Sequence, residues 1–294
     1  MNALATASMI ACAIIVAGCG EVRSQMSADA AVGSSDTPVE SDAADPSHDA
    51  TDPGHDAAPD AAPACITTPA SLLARWRAEQ NANDSGGNYN GTPQGGPAYA
   101  TGHIGTAFVF DAVDDAVTIP DGDVMFSTGS FSVEAWFKPD LAGTIAVSKY
   151  DCGGICGSGS NALWELDVAS DGKARFELRA DATSTIESVS GGPSIVDNHW
   201  HHIVGVRNVS AAALQLFVDG SLAMQMTLPA NQLGALSDID HSSDPTVIGA
   251  RYTGGANTLY GYYGGAIDEV AYYTDALTTS YIADVYASPT GICP

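Results

Sequence analysis

Several groups of side chains in this chain have the types and spacing to do chemistry. In WELDVAS (164–170), Glu165 and Asp167 stand two residues apart, which on a strand puts both carboxylates on one face. Paired carboxylates about 5 to 5.5 Å apart serve retaining glycoside hydrolysis as nucleophile and acid/base. In HWHHIVGVRN (199–208), His199 and His201 share a face in the same way and could ligate a transition metal. Tyrosines interleave with glycines in RYTGGANTLYGYYGG (251–265), where Tyr252, Tyr260, Tyr262 and Tyr263 offer flat apolar faces with polar tips. That combination suits an exposed recognition surface on which sugars stack. The duller alternative packs Tyr262 or Tyr263 into the last strand. Ser158 in GSGSN lacks the strand-to-helix turn that a serine nucleophile needs. His48 and His55, set among aspartates in DPSHDATDPGHDAAPD (45–60), are flexible and unpaired, and would hold a metal only weakly.

The elements that must position these groups read as strands. From Cys65 onward, short runs alternate apolar and polar residues between clusters of Gly, Asp, Asn and Pro, as in an all-β sandwich or barrel. SFSVEAWFKP (130–139) sets Phe131, Val133, Ala135 and Phe137 against Ser132, Glu134, Trp136 and Lys138. NALWELDV, KARFELRA, HWHHIVGVRN and ALQLFVDG repeat the habit, so each can bury one face. Asp171-Gly172 and Asp219-Gly220 fall between such runs, and Asp-Gly supplies the positive φ angles of tight antiparallel hairpins. One segment reads as a short helix at the sandwich edge: TTSYIADVYAS (278–288), whose stripe of Leu277, Tyr281, Ile282, Val285 and Tyr286 follows a Thr or Ser cap.

The formal net charge of -25, with only 10 Lys+Arg, would repel a phosphate backbone and so excludes nucleic acid as a partner. It also leaves many carboxylates free for hard divalent cations, which brings in calcium. Residues 4–18 form an apolar run too short to span a bilayer but of the length of a secretory signal core. The next stretch, 20–64, is rich in Ala, Asp, Pro and Ser with almost no large apolar residues. It cannot bury enough surface to offset ordering entropy, and reads as a disordered tether. Four cysteines remain after Cys12 and Cys19: Cys65, Cys152, Cys156 and Cys293. In an oxidising compartment an even number of cysteines points to disulfides. The expected pairs are Cys65 with Cys293, which bracket the rest of the chain, and Cys152 with Cys156 in the DCGGICGSGS loop. A zinc site is the rival reading, but the one, two and one distribution lacks the paired short spacings zinc prefers.

Two resemblances complete the reading. VAGC, Val16 to Cys19, resembles the bacterial lipobox. That resemblance implies a signal peptide over 1–19, lipid on Cys19 and an exported protein anchored at the outer membrane or cell surface; a plain signal cleaved nearby is the alternative. From Leu72 to Tyr286, the chain resembles the laminin G-like, concanavalin A-like jelly-roll domains of secreted bacterial proteins. The marks are NDSGGNYNGT (83–92), GHIGTAFVFDAVDDAVTIP (102–120), SFSVEAWFKP, NHWHHIVGVRN (198–208), LQLFVDGSLA (214–223), VIGAR (247–251) and GAIDEVAYYTDALTTSYIADVY (265–286). The resemblance implies an antiparallel β-sandwich over 65–294 with one short C-terminal helix. It also implies a structural calcium with Asp268 of the last strand and Asp84 of the early loop as ligands. On chemistry alone, Asp84 could equally form an Asx turn and Asp268 a salt bridge. In similar domains a strand starting Trp-His-His belongs to the sandwich, which gives His199 and His201 a structural role. The glucanases of this class carry a further glutamate two to three residues after the aspartate, where this chain has Ala169 and Ser170. Glu165 and Asp167 are therefore expected to be solvated strand residues. The expected function is surface binding or adhesion toward an extracellular glycan or protein, with a glycoside hydrolase using Glu165 and Asp167 as the alternative.

Overall fold

The computed structural model describes residues 65–120, 129–150, 163–179, 185–234, 245–252 and 258–293. The chain divides into two units, Met1–Asp56 and Ala57–Pro294, and the described residues belong to the second. The expected signal, Cys19, the tether with His48 and His55, the Cys152–Cys156 pair and Ser158 all lie outside them.

Among the described residues, seventeen strands precede one α-helix. They are β1 (Leu72–Trp76), β2 (Thr92–Gln94), β3 (Ala98–Thr101), β4 (Thr106–Asp111), β5 (Ala116–Ile119), β6 (Phe131–Pro139), β7 (Thr144–Tyr150), β8 (Leu163–Val168) and β9 (Lys173–Arg179). There follow β10 (Glu187–Ser194), β11 (His201–Asn208), β12 (Ala213–Val218), β13 (Ser221–Thr227), β14 (Thr246–Ile248), β15 (Arg251–Tyr252), β16 (Leu259–Tyr260), β17 (Gly264–Tyr273) and α1 (Thr279–Ala287). Two antiparallel sheets result. One runs β13-β12-β11-β6-β17-β4-β3 with β1 also paired to β17, and the other runs β10-β9-β8-β7-β14-β5-β2. β15 and β16 form a separate hairpin. No described helix is long and apolar enough to cross a membrane.

Alternation builds the space between the sheets. Phe131, Val133, Ala135 and Phe137 of β6 meet Trp164, Leu166 and Val168 of β8 and Phe176 of β9 in the main apolar core. The sheets approach closely where Gly205 of β11 faces Phe176: a Cβ on Gly205 would sit 2.5 Å from that ring. Both expected Asp-Gly turns form, with Gly172 at φ +81 and Asp219 and Gly220 at +50 and +73. They join β8 to β9 and β12 to β13.

The other face of β6 departs from the expected polar, solvated one. Ser132, Glu134 and Trp136 are all buried, because α1 covers the outer face of this sheet instead of lying at its edge. Thr278 caps the helix, its side chain accepting from Tyr281 N. Ile282 then packs on Val204, Val206 and Phe217, and Val285 on Ala271 and Tyr273. Beneath the helix, His202 Nε2 lies 2.7 Å from Glu134 Oε1, and the Tyr273 hydroxyl donates to Glu134 Oε2 at 2.6 Å. Trp136 stacks with His103 and with Tyr286. A buried carboxylate of this kind persists because both oxygens have partners.

The two ends of the domain are clasped. Cys65 and Cys293 are disulfide-bonded as expected, and Ile66 pairs with Ile292 beside them. The buried Arg75 guanidinium donates to the carbonyls of Cys293 and Ile292 at 3.0 and 3.1 Å and to Glu269 Oε2 at 2.7 Å. A disulfide closing a loop this long chiefly restricts the unfolded chain. Replacing Cys65 and Cys293 together by alanine should lower stability by about 2–4 kcal/mol, read as a lower urea midpoint with an unchanged β-sheet circular dichroism spectrum.

Candidate functional site

The described side chains that could recognise a ligand gather around the β15–β16 hairpin. Its base is fixed to the second sheet: Ser148 Oγ donates to the Ala250 carbonyl at 2.9 Å, and Ile145 N donates to the Gly261 carbonyl at 2.9 Å. The register pairs Arg251 with Tyr260 and Tyr252 with Leu259. Since neighbouring residues on a strand point to opposite faces, the hairpin presents one pair to each side and separates two clefts.

The first cleft, of about 460 Å³, is lined by Tyr252, Tyr262, Leu259, Thr258, Gln94, Gly95, Asp114 and Thr118. Tyr252, Leu259 and Tyr262 form an apolar wall packed on Ala116, Val247 and Ala250. The polar part of the lining comes from β2, β5 and the turn between β4 and β5. In that turn Asp111 Oδ1 accepts from Val113 N and Asp114 N, and Asp115 Oδ2 accepts from Asp111 N. Burial, followed by the Asp111 charge, raises the Asp115 carboxyl above the usual aspartate range.

The second cleft, of about 350 Å³, lies on the outward face of β8 and β9 and includes Glu165, Asp167, Arg175, Glu177, Arg251 and Tyr260. Glu165 and Asp167 share that face as expected, but they are not solvated: each is 1% exposed. Arginines explain how two carboxylates can be buried together. Arg175 Nε and Nη2 both bond Asp167, at 2.6 to 3.1 Å, and its Nη1 lies 3.0 Å from Glu177 Oε1. Arg251 Nη1 lies 2.9 Å from Glu165 Oε2, and its guanidinium rests over the Tyr260 ring at 4.7 Å. Burial still raises the Glu165 carboxyl well above its usual range, opposed by Arg251 and reinforced by Asp167. Burial raises Glu177 as well. Glu177, Arg175 and Arg251 were missed as site residues in the sequence. Counting outward from a two-residue Asp171-Gly172 turn would set Leu178 opposite Glu165 and Phe176 opposite Asp167; Ala169 N instead bonds the Lys173 carbonyl, and the three-residue loop puts Glu177 opposite Glu165 and Arg175 opposite Asp167, a register the Asp-Gly pair alone did not give.

Of the four tyrosines, Tyr252 and Tyr262 share the first cleft and Tyr260 lines the second. Tyr263 does not belong with them. It is 0% exposed, packed edge-on to Phe110 and against Phe137 in the core, because it directly precedes β17 and turns inward. That matches the alternative in which one of this pair packs with the last strand.

Asp84 and Asp268 are both buried, on separate sets of backbone donors. Asp84 Oδ1 accepts from Arg75 N, and its Oδ2 accepts from Asn88 N and Tyr89 N. Asp268 Oδ2 accepts from Ile104 N and its Oδ1 from Glu269 N. Burial pushes the Asp268 carboxyl up to about 8. Glu269, the nearest further carboxylate in sequence, is held by Arg75 and Arg77. This donor set does not fit a shared calcium cage: the oxygens face N–H groups, and guanidinium ions stand beside them. Calcium at Asp84 and Asp268 thus rests on the resemblance alone. Carboxylates that could hold a metal ion converge elsewhere, in Asp111, Asp114 and Asp115 and in Glu165, Asp167 and Glu177.

The model of the Laminin_G_3 family, described as the concanavalin A-like lectin/glucanases superfamily, matches residues 111–283. The chain belongs to this superfamily. Solved structures share the superfamily fold at low identity. The binding domain of Paraclostridial Mosquitocidal Protein 1 superposes with a TM-score of 0.56 at 15% identity, over 74% of this chain and 52% of that one. Domain 4 of AbnA, an extracellular arabinanase from Geobacillus stearothermophilus, in complex with arabinotriose, gives 0.54 at 22% identity over 73% and 97%. The botulinum neurotoxin serotype D ligand binding domain, in complex with N-acetylneuraminic acid, gives 0.52 at 16% over 74% and 50%. The chain therefore spans about half the length of these toxin domains. No curated protein matches the chain.

Two outcomes follow from these ion pairs and buried carboxylates. Arg175→Ala leaves Asp167 buried without its cation and should cost about 3 kcal/mol, and Asp167→Ala in the same chain should recover part of that loss in a double-mutant cycle. The melting midpoint should be the same in millimolar calcium and in excess chelator, whereas a fall of several degrees on chelation that Asp114→Asn keeps and Asp84→Asn loses would reinstate calcium at Asp84 and Asp268.

Proposed function

We propose that this domain binds a neutral oligosaccharide in the cleft between Tyr252, Tyr262 and Asp114, and that it does so as an exported module tethered to the membrane through lipid on Cys19. The observation that carries this reading is the make-up of that cleft. Tyr252 and Tyr262 line the same cleft of about 460 Å³ as Gln94, Asp114 and Thr118. Sugars present both an apolar face of C–H groups and a rim of hydroxyls, so such a cleft can stack on one and hydrogen-bond the other. Asp114, with Asp111 and Asp115 behind it, supplies acceptors for hydroxyl donors and repels carboxylated or sulfated sugars. Arabinotriose and N-acetylneuraminic acid, each in complex with a domain of the same fold, support a glycan as the ligand class; of the two, only the neutral arabinotriose matches the charge of this cleft. The VAGC segment and the tether composition support export and anchoring at the outer membrane or cell surface.

One observation favours the hydrolase alternative: Glu177 supplies a third carboxylate beside Glu165 and Asp167. The arginines argue against it. Asp167 is held by two guanidinium nitrogens and Glu165 faces another, which lowers the availability of either as a nucleophile. We expect a glycan array to show binding of neutral oligosaccharides without release of reducing ends. Tyr252→Ala and Tyr262→Ala should each weaken binding about tenfold, or about 1.4 kcal/mol, at a temperature where circular dichroism shows both variants folded. Turnover of a bound glycan, abolished by Glu165→Gln, would replace the binding reading with hydrolysis.

A further inference from the structure

The helix α1 leaves part of its own sheet uncovered. Alternation puts Trp136 and Lys138 on the same outward face of β6, but only Trp136 lies beneath the helix, in ring contact with Tyr286. Around Lys138 the sheet carries a cavity of about 220 Å³, and no residue of α1 lines it. The register shows how it is built. Lys138 pairs with Ala266 of β17, and Ala266 pairs with Val109 of β4. On the other side, Trp200 directly precedes His201, whose partner on β6 is Phe137, so Trp200 comes beside Lys138. A single row across four strands thus steps down from two long side chains, Trp200 and Lys138, to two short ones, Ala266 and Val109. That step is the cavity, with Ala100 continuing its low side.

The polar groups of the lining have their bonding capacity open. Lys138, Trp200, Asn198, Thr101 and Asp140 all border the cavity, and none of their side chains has a hydrogen-bond or ion-pair partner among the described residues. The wall that carries Asn198 and Trp200 is fixed from behind. With a hydrogen on each ring nitrogen, His201 donates to Asp219 Oδ2 at 2.9 Å and to Asp197 Oδ1 at 3.1 Å. The bond to Asp219 raises the imidazole above the usual histidine range, which favours that doubly protonated ring. Asp197 Oδ1 also accepts from His199 N at 2.9 Å. Asn198 between them takes a φ of +67, a conformation that asparagine adopts more readily than most residues. His103 meets Trp200 edge-on, with ring centres 6.4 Å apart. Side chains held in place before a ligand arrives lose less entropy when it binds.

We propose that this cavity is a second sugar site, which takes one neutral pyranose ring against Trp200 and bonds its hydroxyls through Lys138, Asn198 and Asp140. Drug-sized ligands occupy pockets of about 300 Å³ or more, so a cavity of 220 Å³ suits a single ring at a chain end or branch. Sugar hydroxyls both donate and accept, and the lining answers both. The Lys138 ammonium and the Trp200 indole N–H only donate, Asp140 only accepts, and Asn198 and Thr101 do either. A carboxylated sugar would satisfy Lys138 but bring a like charge to Asp140. The site shares no residue with the cleft at Tyr252 and Tyr262 and lies on the other sheet, so it does not rest on that cleft.

Tryptophan makes the two sites separable by experiment. Of the four tryptophans, Trp76, Trp136 and Trp164 are buried and Trp200 is half-buried, while the first cleft is lined by none. The indole N–H of Trp200 therefore reports on this cavity, and its peak in a proton–nitrogen correlation spectrum of the full chain can be assigned with Trp200→Phe. The probes are maltotriose, cellotriose, mannotriose and glucuronic acid. We expect at least one of the three neutral sugars to shift that peak in a saturable way. Lys138→Met, which removes the ammonium and keeps its stem, should weaken that binding about fivefold, the worth of one hydrogen bond. Ala266→Leu, which fills the low side, should abolish it, with circular dichroism showing both variants folded. Tyr252→Ala should leave the shift intact, so failure of the first cleft and failure of this site are read independently. No shift with any probe, a shift produced by glucuronic acid alone, or one that Ala266→Leu keeps or Tyr252→Ala loses would overturn the proposal.

Discussion

The sandwich depends on a change of partner along its last strand. One edge of β17 pairs with β6 throughout, but its other edge pairs with β4 over residues 264–267 and with β1 over 270–273. At the change, Glu269 adopts a φ of +52 and the ladder to β6 slips between Asp268 and Ala271. Backbone amides at such a junction lose their ladder partners, and buried amides need acceptors. Carboxylates supply them: Asp268 takes Ile104 N and Glu269 N, and Asp84 takes Arg75 N. Glu269 holds the Arg75 guanidinium, which in turn reaches the carbonyls beside the disulfide. The acids that resemblance assigns to calcium thus have a structural task of their own, joining the seam of one sheet to the chain ends.

The same logic decides what the second cleft can do. Three carboxylates on adjacent strands would repel one another strongly in a buried setting, and the fold answers with Arg175 from β9 and Arg251 from the hairpin. Arg251 does two things at once. It faces Glu165 on one side and stacks on Tyr260 on the other, so the charge cluster and the hairpin hold each other in place. A rigid hairpin is what keeps Tyr252 and Leu259 aligned over the first cleft. The ion-pair cluster therefore acts as a support for the aromatic cleft.

Features governed by local pattern were legible in the sequence. Alternation placed the inward residues of β6 and β8, the Asp-Gly pairs placed two hairpins, Thr278 capped the helix, and the bracketing cysteines paired. What escaped was set by groups distant in the chain. Glu134 looks like an outward strand residue until α1, far downstream, closes over it beside His202 and Tyr273. Arg251 reaches Glu165 only because β14 brings the hairpin beside β7. Tyr262 and Tyr263 are adjacent in sequence, yet one lines a cleft and the other is core. No property of the residues separates them, only the direction in which the chain enters β17.

The placement of positive charge bears on the kind of ligand. The chain has 10 Lys+Arg against 35 Asp+Glu, and few of those cations face the solvent. Arg75, Lys149 and Arg207 are buried, Arg207 donating to the carbonyls of Gly129, Gln232 and Gly234. Arg175 and Arg251 are committed to Asp167 and Glu165. Each of these arginines that pairs with a buried carboxylate takes one negative charge out of the surface with it, so the excess of acids over bases in the chain is still what the surface presents. Anionic polymers approaching the domain, nucleic acid and acidic polysaccharide alike, meet repulsion that screening weakens only beyond about 8 Å at physiological salt. A neutral sugar has no such barrier, and its recognition through ring faces and hydroxyls should be almost independent of ionic strength.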